Sequence, residues 1–542
     1  MDRDRGLLSA MWFRLSIVGL VIIVLAVGVG VWAFSSDPLS LHPVMGVRAA
    51  VNLTPKPSHE LLLTPPTPAC VAPANAPNPI VAENACPGTD SWHEKPLTLG
   101  PADAINAFPV PNSVNIGETV RLYVSTTARS YNFSVYRMGW YHNHSARLLY
   151  TSPNILGINQ PAPLFDSTTR TISCANWQDP LGLKIPASWV SGVYIVRFAT
   201  SDGHVRYTIF VVRNDASHAP VLYQMAFVTY QAYNLYGGRS LYYRYDPTYP
   251  HGKDVAGRAY AVSFDRPYQT ENGLGDFPVL AEAWIRFMER MGYDMSYIAD
   301  TDLLVHPQML TQHKLLIVGG HDEYWSAGMR AAATQALAHG VSLAFFFGNS
   351  VYWQTRMSDS PLGPDRIITC YKSAVLDPLA KSDPSDVTVH WADPPVNQPQ
   401  NSLLGEQYIG IPAKPAPLRL SAGALPYLTG THLGVGSSIP GLVGGEIDGY
   451  VKNGSQPANV TILASSPVKC TEYGALQTSD ATLYTAPSGA MVFDTGVFTW
   501  FLALDTPWTG KYKAYYADWS RFTTNILNTL IAASTVSTTS GQ

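Results

Sequence analysis

The residues most able to do chemistry stand in Leu315–Trp325, LLIVGGHDEYW. An apolar run, Leu315–Val318, is too short for a helix and fits a buried strand. Two glycines break it, and His321, Asp322, Glu323, Tyr324 and Trp325 follow. Ser326 is placed to N-cap a helix reaching to about His339. If the turn stays extended, His321 and Glu323 project to the same side, because side chains there alternate with period two. The plain alternative is a carboxylate at a helix N-terminus beside a hydrogen-bonded histidine.

Two further clusters complement this one. Tyr223–Tyr249 holds eight tyrosines in 27 residues, with TYQAYNLYGGRSLYY at its centre (Thr229–Tyr243). Gly237 and Gly238 allow unusual backbone and close approach. Most of these tyrosines must be ordinary core or surface aromatics; a few can be ligands. Phe345-Phe346-Phe347-Gly348-Asn349-Ser350 ends another apolar strand and brings Asn349 and Ser350 to its carboxyl end. Phenol and carboxylate oxygens without cysteine suit a hard cation. Two phenolates and one carboxylate carry three negative charges, matching ferric iron, and a metal would hold phenols deprotonated despite their ordinary pKa of about 10.

The elements that must position these groups read as α/β. Val221–Val228, Tyr293–Ile298, Leu315–Val318, Val341–Phe347 and Ala490–Thr495 are strand-like. Leu280, Trp284, Phe287, Met288 and Met291 keep helical spacing up to Gly292, and Trp519–Ala533 closes as a helix. Strands alternating with helices predict a doubly wound parallel sheet over residues 219–535, whose strand ends converge on one pocket. Tyr371 to about Glu472 reads as an insertion with short strands. Before it, residues 97–213 alternate as strands (Val120, Leu122, Val124; Tyr131, Phe133, Val135). A hairpin turn at Ser201-Asp202-Gly203 joins Gly192–Thr200 to His204–Arg213, so an immunoglobulin-like β-sandwich is expected.

The chain has 542 residues, 14% charged, with formal net charge −4. No basic face for nucleic acid follows from that balance. Leu15–Phe34 is uncharged and long enough to cross a bilayer. Arg3, Arg5 and Arg14 precede it, so residues 1–14 are expected in the cytoplasm and the body outside, as a single-pass membrane protein. Cleavage after Val31-Trp32-Ala33 would instead release a secreted form. Residues 35–96, rich in proline, read as a semi-rigid spacer. In an oxidising compartment Cys70 can pair with Cys86 and Cys370 with Cys470, leaving Cys174.

The segments YQAYN (Tyr230–Asn234), GGRSLY (Gly237–Tyr242), SFDRPY (Ser263–Tyr268), GGHDEYWS (Gly319–Ser326) and FFFGNSVYW (Phe345–Trp353) resemble the large (β) subunit family of N,N-dimethylformamidase. YRMGWY (Tyr136–Tyr141) and GLVGGEIDGY (Gly441–Tyr450) extend the resemblance, which runs from about Val120 to the C-terminal helix. It implies a class I glutamine amidotransferase-like domain with a mononuclear iron held by two tyrosines and a glutamate. Position by position, Glu323 matches the glutamate and Tyr242 one tyrosine; Tyr233 is preferred over Tyr230 for the other. His321 matches a histidine beside the iron and Asn349 a pocket asparagine. The membrane segment, the insertion and the lack of any sign of a small subunit depart from the family enzyme.

The expected function is therefore an extracytoplasmic, iron-dependent amide hydrolase that releases a carboxylate and an amine. Iron would act as a Lewis acid, His321 as proton relay and Asn349 as a holder of carbonyl or water. The expected partner is a small amide or a cell-envelope ligand, with homo-oligomers left open. The alternative is a non-catalytic envelope-binding protein. A serine hydrolase using Ser350 and His321 is a third option, although the G-x-S-x-G elbow is absent.

Overall fold

A computed structural model describes residues 60–66, 70, 73, 75–93, 104–471, 476–505 and 510–536. The expected membrane segment Leu15–Phe34 lies outside these. Among the described residues no helix is long and apolar enough to cross a membrane. The fold is mixed α/β, mostly sheet with some helices.

The N-terminal body faces a four-stranded sheet against a larger one. Thr119–Thr126 pairs with Ile105–Val110 and Leu181–Lys184 in the first; Ser130–Tyr141, Gly192–Thr200 and Val205–Arg213 form the middle of the second. Alternate residues meet between the sheets: Val120, Leu122, Phe133, Val135, Val196, Phe198, Phe210 and Val212 share one core. The opposite face of the second sheet, with Tyr136, Met138, Ile195, Ile209 and Val211, packs into the core of the C-terminal body. Both its faces are covered, which explains why every residue of Val205–Arg213 is buried.

The C-terminal body is built on a seven-stranded sheet. Its five parallel strands are, in chain order, Val221–Met225, Met295–Ala299, Leu315–Gly319, Ser342–Phe345 and Met491–Asp494. In space they run 2-1-3-4-5, the order of an open doubly wound sheet whose crevice lies where the order reverses, beside strands one and three. Two antiparallel strands, Leu476–Thr485 and Thr461–Lys469, extend it. The second of these comes from within the expected insertion. That stretch therefore contributes to the main sheet.

Three expectations are corrected. The described part of the 35–96 spacer is folded: Leu61–Leu63 pairs with Leu181–Leu183, and Pro79–Asn84 is a helix capped by Asn78. Ile80 and Trp92 are buried in the C-terminal body's core, so apolar burial fastens this segment despite its prolines. The strand expected over Val221–Val228 stops at Met225, and Phe227–Tyr233 is a helix. Cys70–Cys86 forms a disulfide, but Cys370 and Cys470 are not joined; the Cys370 thiol donates weakly to the Gln354 carbonyl at 3.7 Å.

Candidate functional site

The site sits at the carboxyl ends of strands one, three and four, on both sides of the order reversal. Gly320, at φ +76°, turns the chain out of Leu315–Gly319, and an L side chain would be strained there. Residues 321–323, neither helix nor strand, then lead into Tyr324–Ser326. Thr229, on the helix after strand one, holds this run: its hydroxyl accepts from the amides of Glu323 (3.0 Å) and Tyr324 (3.3 Å). Asp322 points the other way, into the interior, where it accepts from Gln224 and from the Trp325 indole at 2.7 Å. The alternation separates a structural carboxylate from a site carboxylate one residue away.

On the site side, Glu323 meets two tyrosines. The Tyr233 hydroxyl donates to Oε2 of Glu323 at 2.7 Å. The Tyr242 hydroxyl lies 2.7 Å from that of Tyr233 and 2.8 Å from the same Oε2. The rings of Tyr233 and Tyr242 stack with centroids 4.3 Å apart. Tyr230, three residues before Tyr233, points elsewhere; its buried hydroxyl has no hydrogen-bond partner among the described residues.

His321 lies beside this triangle, Nε2 at 3.3 Å from Glu323 and 3.7 Å from Glu446, with Phe498 packed on the ring at 4.5 Å. Asn349 donates from its side-chain amide to Glu446 at 2.6 Å, while its backbone N–H donates to Asp448 at 2.8 Å. Asn349 and Val351 both adopt positive φ, +58° and +54°. For a β-branched valine that conformation stores strain of about 1–3 kcal/mol at the edge of the site. Ser350 donates to the Phe347 carbonyl at 3.2 Å, an arrangement unlike a nucleophile aligned on His321.

Burial opposes charge on His321, but Glu446 and Glu323 outweigh it and raise its pKa to about 9. Burial pushes Glu323 up, yet the bond and charge of His321 and the charge of Lys372 bring it below its ordinary value. Both phenols are pushed well above theirs, first by burial and then by Glu323.

Glu446 and Lys372 were missed as site residues by sequence reasoning. Both come from the stretch read as an insertion. Lys372 holds its ammonium 3.3 Å from the Tyr242 ring centroid and 4.6 Å from that of Trp353. A signal was present in Gly444-Gly445-Glu446-Ile447-Asp448, where paired glycines precede two titratable side chains at period two, as Gly319 and Gly320 precede His321 and Glu323.

The donor set fits a hard cation. Among the described residues no group of three or more His, Cys, Asp and Glu is arranged for a metal, but that leaves phenols aside. Three oxygens form a nearly equilateral triangle with edges of 2.7, 2.7 and 2.8 Å. Oxygens on one face of an octahedron stand about 2.8 Å apart when the metal–oxygen distance is about 2.0 Å. Proton counting points the same way. Two neutral phenols supply two protons for three edges, so one close oxygen–oxygen contact has none.

No curated protein matches the chain. Among solved structures, a Paenibacillus sp. cycloisomaltooligosaccharide glucanotransferase complexed with cycloisomaltoheptaose aligns at 8% identity over 73% of this chain and 68% of that one; its TM-score of 0.16 carries no argument. A family model described as N,N-dimethylformamidase beta subunit-like, C-terminal, matches residues 132–515, a span containing every residue of the triangle together with His321, Asn349, Lys372 and Glu446. The chain belongs to the N,N-dimethylformamidase beta subunit-like family.

Proposed function

We propose that the protein is an iron-dependent amide hydrolase of amidotransferase-like fold, with Tyr233, Tyr242 and Glu323 as the ligands of one ferric ion. The observation that carries this reading is the oxygen triangle, one proton short of satisfying its own edges. Family membership supports amide hydrolysis as the reaction class. Bound there, iron supplies Lewis-acid polarisation of the amide carbonyl.

The chain's own residues do the rest. Asn349, fixed by Glu446 and Asp448, orients the amide through its side chain. His321 holds a proton between Glu323 and Glu446 and delivers it to the departing nitrogen, which cannot leave as an amide anion. Phe498 covers one face of the imidazole and keeps water from it. A water molecule adds its oxygen to the carbonyl carbon as the C–N bond breaks, and the products are a carboxylate and an amine. We further assign the body to the extracytoplasmic side, anchored by Leu15–Phe34; the arginines before that span and the Cys70–Cys86 pair support this placement.

Elemental analysis with a visible spectrum tests the reading. One iron per chain and a phenolate-to-iron charge-transfer band are expected. Both are expected to vanish in Tyr242→Phe, while His321→Ala keeps iron and loses activity. A colourless, metal-free protein that still hydrolyses amides would overturn the mechanism; a folded, metal-free and inactive one would favour an envelope-binding role.

A further inference from the structure

A cavity of about 640 Å³, whose lining includes no residue of the oxygen triangle, opens near the junction of the two bodies, on the segment that carries Tyr242. Its wall includes Arg206 from the N-terminal body and Tyr236, Tyr243, Tyr245, His251 and Lys253 from the C-terminal one. Among the described residues no Asp or Glu lines it. Arg206 is the informative member. It is only 9% exposed, and its guanidinium donates to the Tyr268 carbonyl at 3.1 Å. No carboxylate is paired with it among the described residues; Tyr236 is the titratable group that bears on its charge, and burial disfavours that charge.

A cation held nine-tenths out of water without an anion is costly. Other buried arginines either meet a carboxylate, as Arg137 meets Glu289, Arg213 Asp302 and Arg286 Asp505, or spread their donors over several neutral acceptors, as Arg266 does over Gln231, Asn234, Tyr236 and Arg239 and Arg330 over Gln398, Pro399 and Ser402. Arg206 instead borders a cavity with further basic side chains, His251 and Lys253. The Lys253 ammonium already stands 5.3 Å from the Tyr243 ring centroid, so the aromatic and basic walls meet. Tyr236, Tyr243 and Tyr245 offer flat faces for stacking. A guanidinium fork matches a carboxylate with two parallel hydrogen bonds.

We infer that this cavity is a second ligand site, separate from the oxygen triangle, which takes a flat organic carboxylate through Arg206 and the surrounding tyrosines. The inference stands independently of the iron assignment. Tyr243 directly follows Tyr242, so the two sites share one chain segment.

The probe is 4-fluorobenzoate, followed by fluorine NMR on the full-length protein. Binding is expected to the wild type and equally to Glu323→Gln, because the triangle is not its receptor. The uncharged 4-fluorobenzamide should bind about tenfold more weakly or not at all, and Arg206→Gln should weaken 4-fluorobenzoate by about tenfold or more, the effect of losing a charge-assisted pair. Should Arg206→Gln fail to fold, Tyr245→Ala decides: this side chain is 57% exposed, so the fold survives its loss, and several-fold weaker binding is expected. No binding by the wild type would overturn the inference. So would binding that is abolished in Glu323→Gln, or binding untouched by both cavity variants.

Discussion

Glu289→Leu tests how the two bodies are held together. Arg137 lies on a strand of the N-terminal body and Glu289 on the Glu282–Arg290 helix of the C-terminal one, and both side chains are 0% exposed. Their pairing is bidentate, at 2.7 and 3.1 Å. Nη1 of Arg137 also reaches the Met138 carbonyl and the Tyr141 hydroxyl, and Nη2 the Ser191 carbonyl, while Tyr297 donates to Glu289 at 2.6 Å. Removing Glu289 leaves a guanidinium with no compensating charge in contact and leaves Tyr297 only the weak Met295 sulfur as acceptor, at 3.6 Å. Breaking one side of a buried pair costs about 3–5 kcal/mol. At the roughly 2 °C per kcal/mol found for larger domains, melting should fall by about 6–10 °C, read by circular dichroism and by differential scanning calorimetry. The double variant Arg137→Met, Glu289→Leu removes both charges and should recover a large part of the loss, since apolar replacement of a whole buried pair is often close to neutral. A single variant within about 1 kcal/mol of the wild type, or a double variant as damaged as the sum of the singles, would refute this account.

At Gly348 an added Cβ would overlap the Glu446 carbonyl, a backbone atom that cannot swing away. Gly348→Ala is therefore expected to displace Glu446 from His321 and cut amide hydrolysis by more than tenfold while iron content stays unchanged, checked by kinetics beside elemental analysis. The Glu406 carboxyl is fully buried, and burial, Asp494 and Asp448 together raise its pKa well above the usual range. A raised acid binds its proton more tightly when folded, so stability falls as pH climbs from its unfolded value of about 4.3 towards its folded one. Glu406→Gln does not titrate. Its stability relative to wild type should rise between pH 5 and pH 8, by at most about 1.4 kcal/mol per pH unit, and a flat difference in melting temperature would contradict the sign. Tyr233→Phe and Tyr230→Phe should part company although three residues separate them on one helix. The first removes an oxygen of the triangle and should abolish iron and colour; the second deletes an unsatisfied buried hydroxyl, should keep both and should stabilise by about 1 kcal/mol.

How much of this was legible depends on where each signal lies. The parallel strands announced themselves as short apolar runs, and period-two alternation put His321 and Glu323 on one side, where the structure has them 3.3 Å apart. The helix Phe227–Tyr233 was not legible. Its sequence, FVTYQAY, is aromatic and β-branched, and no side chain caps its first turn, so propensity read the preceding strand onward into it. Burial of Leu315–Val318 overrides such preferences where long-range packing decides. The apolar run Ile209–Val212 within Val205–Arg213 did carry information about a sheet covered on both faces, a pattern distinct from the alternation of a half-exposed strand.

Glu446 and Lys372 show the other limit. Each belongs to a proline- and glycine-rich stretch in which Gln407–Gly410 pairs with Ile447–Gly449 while Thr461–Lys469 joins the main sheet. Local pattern says nothing about where such a stretch returns in space. What returns it is a set of side-chain and backbone bonds to the site loop: Asn349 to Glu446 and Asp448, and Gln400 to the Ser350 carbonyl. The strand-end loops alone would present Glu323 to solvent, where a carboxylate and two phenols bind cations weakly. With Glu446, Phe498 and Lys372 packed over them, Glu323 and His321 are only 3% and 4% exposed. Low exposure removes water as a competing ligand and strengthens each electrostatic contact, so the insertion that departs from the sheet pattern is also what closes the site.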